Sequence, residues 1–167
     1  KHPDTPSHTR GIVCASFSTN GRFLVTGGED DRAYVWDAAK GQRLSNAFAH
    51  ETDVVAIRFC PGVKDALRFA TSTAAERKVR IWIFPLNTSS TLTDRQAAPA
   101  AIVDAAGAAS QLAISPDGRF FATATGSIVR IWETGGWKAA ATLNNELAVH
   151  ALRFAEDSHS VVTQTRN

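Results

Sequence analysis

The sequence has no methionine, only two cysteines, a single tyrosine and six prolines in 167 residues. The missing methionine implies that Lys1 is not a translational start, so a trimmed or partial chain is expected. Cys14 and Cys60 have neither a CxxC partner nor a histidine at metal-ligand spacing, which leaves no zinc or redox motif and points to buried free thiols in a reducing compartment. A formal net charge of +2 is too small for a nucleic-acid backbone or an acidic membrane surface. No apolar run approaches the ~20 residues that span a bilayer, and the polar start KHPDTPSHT is not a signal peptide. Cytoplasm or nucleus is the expected location. The triplet Asn87-Thr88-Ser89 fits a glycosylation acceptor but carries no weight without a secretory signal.

Hydrophobic residues make up 44% of the chain and charged residues 20%, enough for a packed core. Long helical periodicity is lacking. The Ala-rich stretch Ala97 to Ala109 is broken by Pro99 and Gly107 and reads as loop, strand and loop.

The chain repeats itself. HTRGIVCASFSTNGRFLVTGGEDDRAYVWD aligns with HETDVVAIRFCPGVKDALRFATSTAAERKVRIWIF, with SQLAISPDGRFFATATGSIVRIWE and with LAVHALRFAEDSHSVVTQT. The equivalent positions Phe17, Ile114 and Phe154 flank Phe59, and successive copies lie 42, 55 and 40 residues apart. Within the first copy, Ile12 to Phe17 reads as strand a and Arg22 to Gly27 as strand b. Arg32 to Asp37 reads as strand c and Gln42 to Phe48 as strand d. Asn20-Gly21 and Pro116-Asp117-Gly118 supply tight turns. Four short antiparallel strands per ~40–45 residues, ending the third on Trp or Trp-Asp, describe a propeller blade.

These residues make the chain resemble the WD40-repeat family over about residues 7–165. The resemblance implies an all-β fold: a segment of about 3.5 four-stranded antiparallel blades, part of a larger ring of about seven. The expected blades are 8–48, 50–104, 105–143 and an incomplete one at 145–167. SVVTQTRN is then strand b of the last blade, and a segment with both ends open is expected to aggregate or to find further blades in the same or another chain.

The resemblance also implies a buried tetrad of His, Ser/Thr, Asp and Trp in each blade. His8, Thr26, Asp30 and Trp36 supply all four in the first. The second keeps His50, Thr71 and Trp82, with Glu76 one residue off the Asp position. The third keeps Thr123 and Trp132 but has Ala105 for His and no Asp, and the fourth has Asn145 for His. A His–Thr–Asp set also resembles a catalytic triad, but the hydroxyl would face an indole, so the structural role is expected.

The loops of one end, called the top, carry Arg10, Glu29, Asp31, Arg32, Glu51, Asp53, Glu76, Arg77 and Lys78. Charge of both signs suits protein or peptide partners better than nucleic acid. The polar segment PLNTSSTLTDRQAAP is expected to be a solvated or partner-docking loop, and Trp137 either covers a neighbouring loop or serves an interface. No phosphate loop, nucleophile elbow or metal cluster stands out, so no catalytic residue and no cofactor are expected. The function expected is a non-catalytic interaction scaffold. The alternative is a sensor or regulatory domain of a larger signalling ATPase, kinase or protease.

Overall fold

The structure, a computed structural model, describes residues 8–63, 65–86 and 98–165. Among these residues there is no helix. The described residues form four antiparallel sheets in sequence order. The first runs β1 (Ile12–Phe17), β2 (Phe23–Gly28), β3 (Arg32–Asp37) and β4 (Gln42–Arg43), with β5 (Phe48–Ala49) also on β3. The second is β6 (Val54–Val63), β7 (Ala66–Thr73), β8 (Lys78–Pro85) and β9 (Ala101–Asp104). The third is β10 (Gln111–Ile114), β11 (Phe120–Thr125), β12 (Ile128–Glu133) and β13 (Lys138–Asn144). The last pairs β14 (Val149–Phe154) with β15 (Val161–Thr165). The fold is all-β, a segment of a WD40-type propeller. The polar segment expected as a long loop falls, from residue 87 to 97, outside the described residues.

Two details depart from the strand pattern. The fourth strand of the first sheet is split into β4 and β5, because the Ser45 hydroxyl accepts the Val35 N–H at 2.9 Å where a ladder carbonyl would stand. The expected connection CPGVKDALR is instead largely strand: β6 extends to Val63, which pairs with Ala66. A register shift between Cys60 and Val63 accommodates Pro61, which has no N–H for the ladder.

The middle strands are apolar on both faces because each sheet is packed between neighbours. Val25, Val35 and Phe48 meet Val54, Phe69 and Trp82 between the first two sheets. Ile81 and Val103 meet Leu112, Phe121 and Trp132 between the next two, and Ala122 and Val129 meet Val149, Leu152 and Phe154 beyond them. Phe48 stands edge-on to Phe69 and Trp82 with centroids 5.1 Å away in each case. The approach of the first two sheets is so close that a Cβ at Gly27 would lie 2.5 Å from Val54 Cγ1. The outermost strand β13 is exposed throughout.

The first strands β1, β6, β10 and β14 lie side by side, since β6 touches both β1 and β10, and β10 touches β14. Antiparallel pairing therefore puts the β1–β2, β6–β7, β10–β11 and β14–β15 turns at one end, and the β2–β3, β7–β8 and β11–β12 turns at the other.

Candidate functional site

At the β2–β3 end the first sheet closes a relay of hydrogen bonds. Trp36 Nε1 donates to Thr26 Oγ1 at 2.8 Å, and Thr26 Oγ1 lies 2.8 Å from His8 Nε2. His8 Nδ1 lies 2.7 Å from Asp30 Oδ1, and the Thr9 N–H donates to Asp30 Oδ2 at 3.0 Å. A carboxylate only accepts, so with His8 neutral its proton sits on Nδ1. Nε2 then accepts from the Thr26 hydroxyl, which in turn accepts from the indole. The His8 and Asp30 side chains are 2% and 3% exposed. Burial alone would raise the Asp30 carboxyl, but hydrogen bonds from His8 and the Thr9 N–H outweigh it and hold it below the usual range. The Thr26 hydroxyl is buried and engaged on both sides, so it is no nucleophile.

The other sheets treat the same positions differently. In the second, Trp82 Nε1 donates to Thr71 Oγ1 at 2.8 Å, but His50 does not join them. His50 Nε2 is buried with no partner, and His50 Nδ1 faces Arg80 at 3.3 Å. Arg80 pairs with Glu76, so Glu76 is turned inward rather than presented on the top rim. Burial, and then Arg80, push His50 down to about 4. In the third sheet the expected Trp132 contact is absent: Trp132 Nε1 and Thr123 Oγ1 are both buried and unpartnered. In the last, Asn145 reaches the register position: Thr163 Oγ1 donates to Asn145 Oδ1 at 3.1 Å.

The surroundings of the two indoles differ: the His50 ring packs edge-on to Trp82 at 5.6 Å, whereas Ala105 offers Trp132 no ring.

Of the top-rim charges, Arg10, Glu29, Arg32, Glu51, Arg77 and Lys78 are exposed, and Asp31 and Asp53 are half-buried. The Asp31 and Asp53 carbonyls accept the His50 and Ala74 N–H groups, at 2.9 and 3.0 Å. Arg77 lies 3.5 Å from Asp104, a residue the sequence pattern did not single out. The Ala106 N–H, and then Arg77 and Arg130, hold the Asp104 carboxyl below its usual range. Arg80 and Arg130 were equally missed, although the repeated RIW triplet placed both two residues before a tryptophan.

Trp137 is packed rather than displayed: its ring is edge-on to Phe121 at 5.9 Å and lies under the Arg68 guanidinium at 5.8 Å. Burial pushes both the Cys14 and Cys60 thiols up to about 12, so neither is a thiolate at neutral pH. No group of three or more metal-ligating side chains occurs among the described residues. No helix of the described residues is long and apolar enough to cross a membrane.

The family model for the WD domain, G-beta repeat, matches residues 4–37 and 104–133. The chain is 34% identical over 86 residues to Protein TOPLESS of Arabidopsis thaliana, covering 50% of this chain and 7% of that protein. It is 28% identical over 154 residues to the human kinesin-like protein KIF21B, covering 84% of this chain and 9% of the relative. It is also 32% identical over 75 residues to Protein tipD of Dictyostelium discoideum, covering 45% of this chain and 12% of that protein. The chain thus spans only a small part of the relatives' length. With the repeat model matched twice and four sheets built on the repeated strands among the described residues, the chain carries WD40 repeats.

Proposed function

We propose that the chain is a non-catalytic interaction module that presents its top rim to protein or peptide partners. The observation that carries this reading is the rim itself. Exposed Glu29, Glu51 and Arg77 stand on turns between packed strands, Arg32 and Lys78 begin β3 and β8, and Arg10 lies just before β1, so their charges are displayed from a rigid base. WD40 domains as a class bind other proteins, which agrees. The working blades are 8–48, 50–104, 105–143 and 145–167, completed by further blades of the same or another chain, in the cytoplasm or nucleus.

A second reading is favoured by the small share of each relative that is covered, 7% of one and 9% of another. It makes this ring segment a sensor or regulatory part of a much longer protein. Both readings are tested with a charge-reversed rim, Arg32→Glu with Arg77→Glu and Lys78→Glu. Partners captured by the native protein should be lost from the variant while its thermal melt is unchanged. Identical capture by both proteins refutes the rim. An activity encoded beside the module that changes with the rim variant selects the second reading.

A further inference from the structure

The turn end opposite the rim holds a second surface of different chemistry. The strands β1, β6, β10 and β14 read IVCASF, VVAIRFCPGV, QLAI and VHALRF, without one aspartate or glutamate. Besides the thiols of Cys14 and Cys60, their titratable members are Arg58, His150 and Arg153. At the turn end a cavity of ≈ 330 Å³ opens between β6, β10 and β14, and both Arg58 and Arg153 line it. Its walls are otherwise largely apolar, with Phe59, Pro61, Pro116 and Leu152 among them.

No described carboxylate forms an ion pair with Arg58 or Arg153. Two acids of the adjoining turns, Asp117 and Asp157, are engaged at home. Asp117 accepts from Ser115 Oγ at 2.6 Å and from the Arg119 N–H at 3.0 Å. Asp157 accepts from Ser160 Oγ at 2.6 Å and from the His159 and Ser160 N–H groups at 2.9 and 2.8 Å. Arg58 is meanwhile positioned: its Nε donates to the Leu112 carbonyl at 2.9 Å, across the seam between β6 and β10. The floor of this end is also fixed. The Asp117 N–H donates to Ser158 Oγ at 3.1 Å, tying two turns together. Gly118, at φ +71°, approaches so near that a Cβ would lie 2.3 Å from Pro61 Cγ.

We propose that this groove binds an acidic linear peptide, with carboxylates on Arg58 and Arg153 and a neighbouring apolar side chain between Phe59, Pro61 and Pro116. Two guanidiniums with no ion-pair partner among the described residues are complementary to carboxylates, and a planar fork suits bidentate contact. The cavity lies at the small end of the range for ligand sites, ~300–1,000 Å³, which fits one or two side chains of an extended segment. A nucleic-acid backbone wants a longer basic stripe than two arginines on a chain of formal charge +2. The groove lies at the opposite end of the strands from the rim, so the proposal stands or falls apart from the rim's.

The test is fluorescence anisotropy on the intact protein with a labelled Leu-Asp-Glu-Phe-Glu-Leu peptide and its amide twin, Leu-Asn-Gln-Phe-Gln-Leu. The acidic peptide should bind, weaken with salt, and greatly outcompete the amide twin. Arg153→Glu, a change at an exposed side chain, should weaken binding roughly fivefold or more. Lys138→Glu on β13 should leave it unchanged. Photo-crosslinking from the peptide should mark residues of β6 or β14, which keeps the site testable where Arg58→Gln perturbs folding. Equal binding of the two peptides, indifference to Arg153→Glu, crosslinks only at the rim, or preferential binding of an oligothymidylate or of inorganic phosphate each overturn the proposal. Loss of rim partners in the Arg32, Arg77 and Lys78 variant with peptide binding intact would leave both readings standing.

Discussion

Trp82 and Trp132 form a natural pair of controls. They occupy the same register in adjacent sheets and are 5% and 7% exposed. A Trp→Phe change deletes the same atoms from each, so the lost packing is closely matched. The polar outcome differs in sign. Trp82→Phe removes a donor that bonds Thr71 Oγ1 at 2.8 Å, and Thr71 is fully buried. That costs about 1 kcal/mol for the bond itself. Trp132→Phe removes a buried N–H that has no partner, which relieves a desolvation cost of about 1–3 kcal/mol. Trp82→Phe should therefore be more destabilising than Trp132→Phe by about 2 kcal/mol or more. At a urea slope of about 2 kcal/mol/M this is a difference of about 1 M in midpoint. Trp36→Phe and His8→Ala should fall with Trp82→Phe, because each breaks the closed relay around Thr26. Thr123→Val should be tolerated, and Thr26→Val should not. The assay is equilibrium urea unfolding followed by far-ultraviolet circular dichroism, which is indifferent to the tryptophan count. Equal losses at Trp82 and Trp132, or a larger loss at Trp132, would refute the reasoning.

Acid should act first through His50, whose pKa is pushed down to about 4 while an unfolded histidine titrates near ~6.5. The unfolded chain takes this proton first, so the stability is full above ~6.5 and is lost as pH falls toward about 4, by on the order of 3 kcal/mol. Midpoints measured against pH should lose that slope in His50→Asn, and an unaltered slope sinks the assignment. Asp30 adds a loss at lower pH, since a carboxyl held down in the folded state stabilises above its unfolded value and stops doing so as it protonates. Glu76→Gln should cost about 3 kcal/mol, because it leaves the largely buried Arg80 charge without its partner, and Glu76→Gln with Arg80→Leu should recover much of that loss. A double variant no better than the single one in urea would contradict the pairing. Cys14 and Cys60, both pushed up to about 12, should resist iodoacetamide at pH 8 in the native protein and react once urea unfolds it. Labelling in mass spectra of the folded protein would show the burial to be wrong.

The strand grammar was legible because it is local. Ile12 to Phe17 and Arg32 to Asp37 read as strands from alternation and turn residues alone, and the structure forms both over the same residues. The split of the fourth strand was not legible, since it depends on a side-chain hydroxyl, Ser45, taking a backbone position across the sheet. Nor was the extension of β6 past Pro61, where a bulge lets the pairing resume at Val63. The relay of the first sheet could be read because all four residue types were present at the expected spacings. Its failure in the third could not, because Thr123 and Trp132 are individually the right residues, and the broken contact shows only in how their side chains are placed. The cavity between β6, β10 and β14 draws residues from all four copies of the repeat, Thr19 of the first among them, so no single copy announces it.

The position two residues before each tryptophan shows how these networks are chosen. Tyr34, Arg80 and Arg130 face Thr26, Thr71 and Thr123 across the second and third strands of their sheets. What each needs to be is set by where the acid lies. In the first sheet Asp30 is already satisfied by His8 and the Thr9 N–H, so a cation at residue 34 would be left without a partner. An aromatic ring fits instead, edge-on to His8 at 4.9 Å. In the second the acid has moved to Glu76, out of the histidine's reach, and Arg80 spans the gap by pairing with Glu76 while facing His50. In the third there is no acid in the turn, and Arg130 donates outward to the Asp104 carbonyl at 2.8 Å, stitching the third sheet to the last strand of the second. The same strand pairing therefore supports a hydrogen-bond relay, an ion pair and an intersheet strap. The arginine shared by the second and third sheets thus takes a different partner once the turn acid is gone, pairing with Glu76 in one and with the Asp104 carbonyl in the other.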